Sequence, residues 1–166
     1  MISMCRHRSF VVWAVVATSV LAMGGCPAVP QVVKEKNNLS FMRTTPITIT
    51  GKTTFTTYIA DTGPTQQLGL MNTTEAELPT DRGTLFVFTS DRLRNFWMHN
   101  TIIPLDIAYI RSDGTIVKIY TMEPLNEIGY PSIEPARFAL EVRAGQFAQR
   151  GVTEGDHVEI PASLLN

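Results

Sequence analysis

The sequence contains very little cysteine, and that little is confined to the N-terminus. Of 166 residues, only Cys5 and Cys26 are cysteines. A folded region beyond residue 26 can therefore hold neither a disulfide nor a structural zinc bound by thiolates. Its stability must come from a hydrophobic core, for which an apolar share of 44% is ordinary and sufficient.

Basic clusters and glycine-rich phosphate loops are missing as well. The 14 basic residues are scattered among 15 acidic ones, which argues against electrostatic binding to nucleic acid. No glycine-rich loop follows a predicted strand, so a nucleotide site of that type is not expected. The few histidines do not have the spacing of a metal site. We therefore predict no nucleic-acid partner, no metal and no cofactor.

The first 26 residues have the pattern of an export signal. Arg6 and Arg8 precede an uncharged, mostly apolar run at 10–23, and small residues follow that run. A basic start, an apolar run and small residues in this order are typical of a secretory signal peptide. A transmembrane anchor is the second interpretation, because the run is shorter than the roughly 20 residues that cross a bilayer.

The end of this segment, LAMGGC, resembles a bacterial lipobox, in which the cysteine is lipidated and the chain is cleaved just before it. By that resemblance, residues 1–25 are the signal peptide and Cys26 becomes the lipidated first residue. Met23 stands where leucine is usual, and ordinary cleavage near Gly25, which would release a soluble periplasmic protein, is the alternative. Because several acyl chains together give stable anchoring, the preferred prediction is an envelope protein anchored to the membrane by lipid.

The rest of the chain divides into a tether at 26–46 and a single globular domain at 47–166. Residues 26–46 contain several prolines and polar residues without periodicity, which is typical of a flexible linker. Cleavage before Cys26 would remove Arg6 and Arg8. The mature chain would then have 12 basic and 15 acidic residues, a net charge of −3.

The domain's hydrophobic pattern predicts a mainly β (α+β) fold. Apolar and β-branched residues alternate with period two in several short runs, and the clearest pair flanks Ser-Asp-Gly at 112–114, which predicts a hairpin. Two short helices are expected, one capped by Asp61 or Thr62 and one closed by Gly151. About seven strands without βαβ alternation favour antiparallel strands curled into a compact barrel or sandwich.

Six sequence blocks follow one another in a recognisable order. They are GLM at 69–71, GTLFVF at 83–88, FWMHNTIIPLDIAYI at 96–110, DGTIVKI at 113–119, LEVRAG at 140–145 and GDHVEI at 155–160. Together they resemble the domain-of-unknown-function 192 family, an uncharacterised family of bacteria and archaea, over residues 53–160. The resemblance implies a compact, mainly β domain that is often exported, and it implies no mechanism. The family usually has lysine in place of His99, so this histidine is a poor candidate for shared chemistry.

Asp106 and Glu141 are carboxylates within apolar strands, and each has two interpretations. Strand alternation allows each side chain to point to water, which is the common case. If both faced one cavity, one pKa would rise, and the pair could act as acid and base or hold a hard cation. The second functional hypothesis is therefore an envelope hydrolase with these two carboxylates as its catalytic residues.

The preferred hypothesis is a module that binds a small ligand or an envelope protein. A strand at 95–101 would place Trp97 on the face opposite Phe96 and Met98, where it could stack on a planar or sugar ligand. Asn100, Thr101 and Asp106 are the other candidate ligand residues. Asn100 and Thr101 also have a structural interpretation, in which they fix a proline-containing turn through backbone hydrogen bonds.

A nucleophile at Thr101, activated by His99, has little support. Residues close together on one strand seldom build a catalytic triad, because alternate side chains point to opposite faces. The sequence therefore leaves open whether the protein is an enzyme.

Overall fold

The computed structural model describes residues 34–165, so the predicted signal peptide and Cys26 lie outside the described residues. In chain order the strands and α-helices are β1 (Thr44–Ile49), β2 (Thr53–Ala60), α1 (Gly63–Leu68), β3 (Arg82–Arg92), β4 (Asn95–Phe96), β5 (Leu105–Ile110), β6 (Ile116–Met122), β7 (Tyr130–Pro131), β8 (Ala136–Arg143), α2 (Gln146–Gln149) and β9 (Val158–Glu159). Across residues 34–165, no helix is both long enough and apolar enough to cross a membrane. The prediction of mainly β structure with a few short helices is confirmed.

Seven strands form one curled sheet, in the order β6-β5-β8-β3-β2-β1-β9. Its two edge strands approach each other at one end, where Thr115, just before β6, pairs with His157, just before β9. The backbone N–H of Val158 donates to the carbonyl of Gly114 at 2.8 Å. Gly114 has φ +88°, and a Cβ at this position would overlap the backbone carbonyl oxygen of Val158. Glycine is therefore needed both for the hairpin turn and for the close approach of the two edge strands. The expected curling towards a barrel is confirmed.

One strand pair departs from the predicted antiparallel arrangement. Strands β2 and β3 are parallel, with Tyr58 opposite Thr84. Parallel neighbours require a crossover connection, and residues 61–81, which include α1, provide it. The hydrophobic pattern reports which face of a strand is buried and not its direction, so it could not predict this pair.

Both short helices form where the capping residues predicted them. Thr62 caps α1, and its side chain and that of Thr65 exchange hydrogen bonds with each other's backbone N–H in a capping box. Helix α2 is followed by Gly151 at φ +63°, and the N–H of Val152 donates to the carbonyl of Phe147 at 2.9 Å. Local side-chain chemistry therefore decides where these helices begin and end.

The strand predicted at 95–101 is much shorter in the structure. Only Asn95 and Phe96 are in a strand, where they pair with β7 in a separate two-stranded ribbon. The chain then turns, and the N–H of Thr101 donates to the carbonyl of Met98 at 3.0 Å. Side chains buried against the main sheet, rather than a strand ladder, account for the apolar pattern of this stretch.

The main sheet is buried on both faces. All seven strands contribute to an inner cluster inside the curl, to which Phe55, Phe138 and Phe147 belong. The central strands form an outer cluster that loops cover, and it includes Tyr58, Phe86, Ile107, Tyr109, Leu70 and Met98. All six residues of β5 are consequently buried. This arrangement places polar side chains of the central strands in one of two separate apolar environments.

The ordered contacts begin before the expected domain start at residue 47. Strand β1 starts at Thr44, and Asn37, only 7% exposed, packs against the domain. Its side-chain amide donates to the carbonyls of Thr65 at 2.9 Å and Gly69 at 2.8 Å. The end of the predicted tether thus fixes the C-terminus of α1. A side-chain amide that caps backbone carbonyls produces no hydrophobic pattern in the sequence. The sequence therefore did not indicate that Asn37 belongs to the folded domain.

Candidate functional site

The structure places Asp106 and Glu141 on opposite faces of the sheet. Asp106 on β5 lies opposite Val142, whereas Glu141 on β8 lies opposite Ile107. Val142 belongs to the inner cluster and Ile107 to the outer cluster. Cross-strand partners share a face, so Asp106 points into the curl and Glu141 away from it. The sheet itself lies between the two carboxylates, and the paired-acid site cannot form.

Asp106 is a structural residue that joins three elements. It is 2% exposed, and its Oδ1 accepts a hydrogen bond from the hydroxyl of Thr121 on β6 at 2.7 Å. Its Oδ2 accepts one from the backbone N–H of Phe147 at the start of α2, at 3.2 Å. The prediction that Asp106 contacts ligand is therefore corrected, because its carboxylate is occupied within the inner face. From the sequence PLDIA alone, an exposed position of Asp106 cannot be distinguished from a buried one.

Glu141 lies at the floor of a small cleft on the outer face. The residue is only 4% exposed. Burial raises the pKa of its carboxyl group to about 8, and among residues 34–165 no hydrogen bond or positive charge offsets that effect. A carboxyl group with this pKa is mostly neutral at pH 7 and can both donate and accept a hydrogen bond.

Four of the six family-like blocks contribute to the walls of this cleft. The principal lining residues are Gly69, Phe86, Phe96, Trp97, Thr101 and Glu141. The space inside is about 40 Å³. Since one water needs roughly 10–15 Å³ on this measure, the cleft holds about three waters. It can accept the end group of a ligand and is too small for a ring.

Trp97 stands at the rim of the cleft. Its side chain is 53% exposed and stacks on the ring of His99, with centroids 4.9 Å apart and an interplanar angle of 21°. Nδ1 of His99 is 2.7 Å from Oε1 of Glu127. Phe96 instead turns inward and meets Phe86 edge to face at 4.8 Å. The expected opposition of Phe96 and Trp97 is thus present although the strand is shorter.

Thr101 and Asn100 differ in their relation to the cleft. Thr101 is 5% exposed and lines the cleft, while its hydroxyl donates to the carbonyl of His99 at 3.3 Å and stabilises the turn. Asn100 is exposed with φ +52°, and its carbonyl accepts the N–H of Asn72 at 2.8 Å. Asparagine tolerates this left-handed conformation better than most residues. The structural interpretation accounts for Asn100, which is not among the lining residues.

Gly69 lines the cleft and Thr84 is the cross-strand neighbour of Glu141, and neither was predicted from the sequence. Thr84 on β3 lies directly opposite Glu141 and is 1% exposed, and its hydroxyl has no hydrogen-bond partner within residues 34–165. Gly69 has φ +47°, and a Cβ there would lie 3.3 Å from the ring of Phe86. The GLM and GTLFVF blocks contained both residues, but only the strand register places Thr84 opposite Glu141, and only the tertiary structure places Gly69 in the lining of the cleft.

Glu141 is the one ionisable side chain among the described residues that line the cleft. Throughout residues 34–165, no three side chains of the metal-binding types come together. The site therefore offers hydrogen bonding and aromatic contact. Thr101 carries the one hydroxyl of the described lining, and that hydroxyl donates to the backbone carbonyl of His99.

The solved structures that are similar to this fold include two bacterial proteins. A protein of unknown function from Novosphingobium aromaticivorans is 31% identical with a TM-score of 0.69, and the match covers 78% of this chain and 94% of that one. A protein from Sinorhizobium meliloti, described as a candidate transcription regulator, is 32% identical with a TM-score of 0.66, and covers 71% and 94% respectively. No curated protein matches the chain.

The family comparison agrees with the sequence blocks that surround the cleft. The model of domain of unknown function 192, whose description is "Uncharacterized ACR", matches residues 45–160. This range contains every element of the curled sheet except the first residue of β1. The chain belongs to the domain-of-unknown-function 192 family.

Proposed function

We propose that this protein is a binding module whose ligand site is the cleft above Glu141. The observation that carries the proposal is a carboxyl group, 4% exposed, that borders the cleft and has no partner among the described residues. Leaving a buried polar group unsatisfied costs about 1–3 kcal/mol. Such groups are rare in native proteins and often have a functional reason. A ligand that supplies the missing hydrogen bonds would remove this penalty.

Binding is better supported than catalysis by the composition of the cleft. Acid–base or nucleophilic catalysis requires a second reactive group within hydrogen-bond reach of the first. Asp106 lies on the other face of the sheet, and the Thr101 hydroxyl of the described lining is engaged with the carbonyl of His99. The stacked ring of Trp97 and the buried face of Phe96 offer contact area rather than reactivity.

A thermal-shift experiment on the detergent-solubilised full chain tests this site. A compound that binds the folded state raises the melting temperature by mass action. The panel contains small amines, alcohols, carboxylates and sugars. We expect at least one class to raise the melting temperature of the wild type, with the shift lost in Trp97→Ala and kept in Leu93→Ala. Leu93 is the matched control because it is also apolar and 70% exposed, and it does not line the cleft. The proposal would be contradicted if no compound raised the melting temperature, or if a compound raised it equally in both variants.

The same protein is proposed to be exported and anchored in the cell envelope by lipid on Cys26. The basic residues Arg6 and Arg8, the apolar run at 10–23 and the LAMGGC sequence support this. Mass spectrometry of the membrane-extracted protein is expected to find an acylated N-terminal Cys26, and Cys26→Ser is expected to abolish the acylation. A mature chain that starts at a residue other than Cys26 and carries no lipid would contradict this part of the proposal.

The description of the Sinorhizobium meliloti protein is not a basis for assigning this chain to transcription. Sequence-independent attraction to DNA requires clustered positive charge. The 14 basic residues here are dispersed among 15 acidic residues. The preferred partner remains a small molecule or an envelope protein that inserts an end group.

A further inference from the structure

We infer that the group which enters the cleft is the ammonium end of a primary alkylamine. This inference rests on the proposed binding function and specifies its ligand class. It follows from three properties of the site: a buried carboxyl group without a partner, aromatic walls, and a volume suited to one end group.

The floor of the cleft contains a carboxyl group that lacks a hydrogen-bond partner. Neither this carboxyl group of Glu141 nor the hydroxyl of Thr84, which lies directly opposite Glu141 on β3, has a partner within residues 34–165. The part-buried donors of the lining are already engaged: Thr101 donates to the carbonyl of His99, and Gln66 donates to the carbonyl of Val87 at 2.7 Å. An ammonium group brings three donors and no acceptor, whereas an alcohol brings a single donor.

The walls of the cleft suit a cation that is attached to an alkyl chain. Phe86, Phe96 and Trp97 present aromatic surface, and aromatic faces attract ammonium groups while they also bury methylene groups. The described lining carries no lysine, arginine or histidine that would repel a cation.

Charge favours the same ligand. Burial makes ionised Glu141 unfavourable in the empty cleft, as its raised pKa indicates. An ammonium group within hydrogen-bond distance would stabilise the ionised carboxylate, so amine binding near neutral pH would release a proton. A ligand carboxylate would find no positive charge in the described lining.

The size of the site limits the ligand to an end group. A cleft of about 40 Å³ accepts an ammonium group and its adjoining methylene, and it excludes a sugar ring or a planar base. The remainder of the ligand would lie along Trp97, which is half exposed at the rim.

Calorimetry with the full chain in detergent and three probes of equal chain length tests the inference. The probes are n-butylamine, 1-butanol and n-butyrate. We expect saturable binding of n-butylamine at pH 7, at least tenfold tighter than 1-butanol, with release of a proton and no binding of n-butyrate. Glu141→Gln should weaken n-butylamine at least tenfold, and Glu159→Gln, which changes an exposed carboxylate away from the cleft, should not.

Two further readouts separate a failed fold from a failed inference. Circular dichroism melting establishes that Glu141→Gln is folded, and Thr84→Val provides a second variant, which we expect to weaken n-butylamine about threefold. Equal affinity for n-butylamine and 1-butanol, weakened alike by Glu141→Gln, would overturn the ammonium assignment and leave the binding function standing. Unchanged n-butylamine affinity in Glu141→Gln would also overturn the assignment. Failure of all three probes would overturn it as well, and the proposed function would fail too if the thermal-shift panel were silent.

Discussion

Asp106 and Glu141 are buried to the same extent on neighbouring central strands, and they differ in what surrounds them. Asp106 is 2% exposed and Glu141 is 4% exposed. Asp106 accepts hydrogen bonds from Thr121 and from the backbone of Phe147. Glu141 accepts none from the described residues, and the threonine opposite it, Thr84, leaves its hydroxyl unpartnered.

The comparison shows that burial alone does not decide whether a carboxylate stabilises the fold. What distinguishes them is whether the protein supplies the hydrogen-bond donors. Where it does, the carboxylate stabilises the fold by joining elements, as between β5, β6 and α2. Where it does not, the group is destabilising in the empty protein and is available to a ligand.

Replacing each carboxylate with the amide of the same shape should give the largest difference between the two sites in the free energy of unfolding. Asp106→Asn places an amide N–H against one of the two donors, so we expect the free energy of unfolding to fall by about 3 kcal/mol. Glu141→Gln should not lower it, because no hydrogen bond within the protein is lost, and above pH 4.5 the variant should be the more stable protein because folding no longer has to hold a proton on a buried carboxyl group. Urea denaturation of both variants measures this difference. Similar losses at the two positions would break the comparison.

Glu141 should also make the stability of the protein depend on pH. Its pKa is raised from the ordinary 4.5 to about 8, so the folded state holds a proton that the unfolded state has released. This contribution to stability is fully present below pH 4.5 and is lost as pH rises towards 8. Between pH 6 and pH 8 the loss should be about 2 kcal/mol. Denaturation at several pH values, compared with Glu141→Gln, isolates it, and a difference that is constant with pH would contradict the assignment.

The threonines opposite the two carboxylates give the smallest and most closely matched test. Thr121→Val removes the donor to Asp106 and should lower the free energy of unfolding by about 1 kcal/mol. Thr84→Val removes a hydroxyl without a partner and should change it by less than about 0.5 kcal/mol, or stabilise the protein. Thermal denaturation compares them directly. A larger loss at Thr84 would mean that its hydroxyl is satisfied in the folded protein.

Much of the local structure could be predicted because local chemistry decides it. The Ser-Asp-Gly turn at 112–114, the cap at Thr62 and the closure at Gly151 form as expected. Trp97 and Thr101 were predicted for the ligand site and do line the cleft. Asp106 was not predictable, because both of its donors come from other elements of the chain, β6 and α2.

By itself, the sequence determined the β content, the positions of the turns and caps, and the order of the family blocks, because these depend on residues near one another in the chain. Only the tertiary structure decided that β2 and β3 are parallel and which face each carboxylate occupies. Alternation places neighbouring residues on opposite faces, but both faces of this sheet are buried. Which buried face supplies hydrogen-bond donors depends on distant segments that pack there. Glu141 faces a cleft that Trp97 and Thr101 also line, and no hydrogen-bond donor of the described residues reaches its carboxyl group.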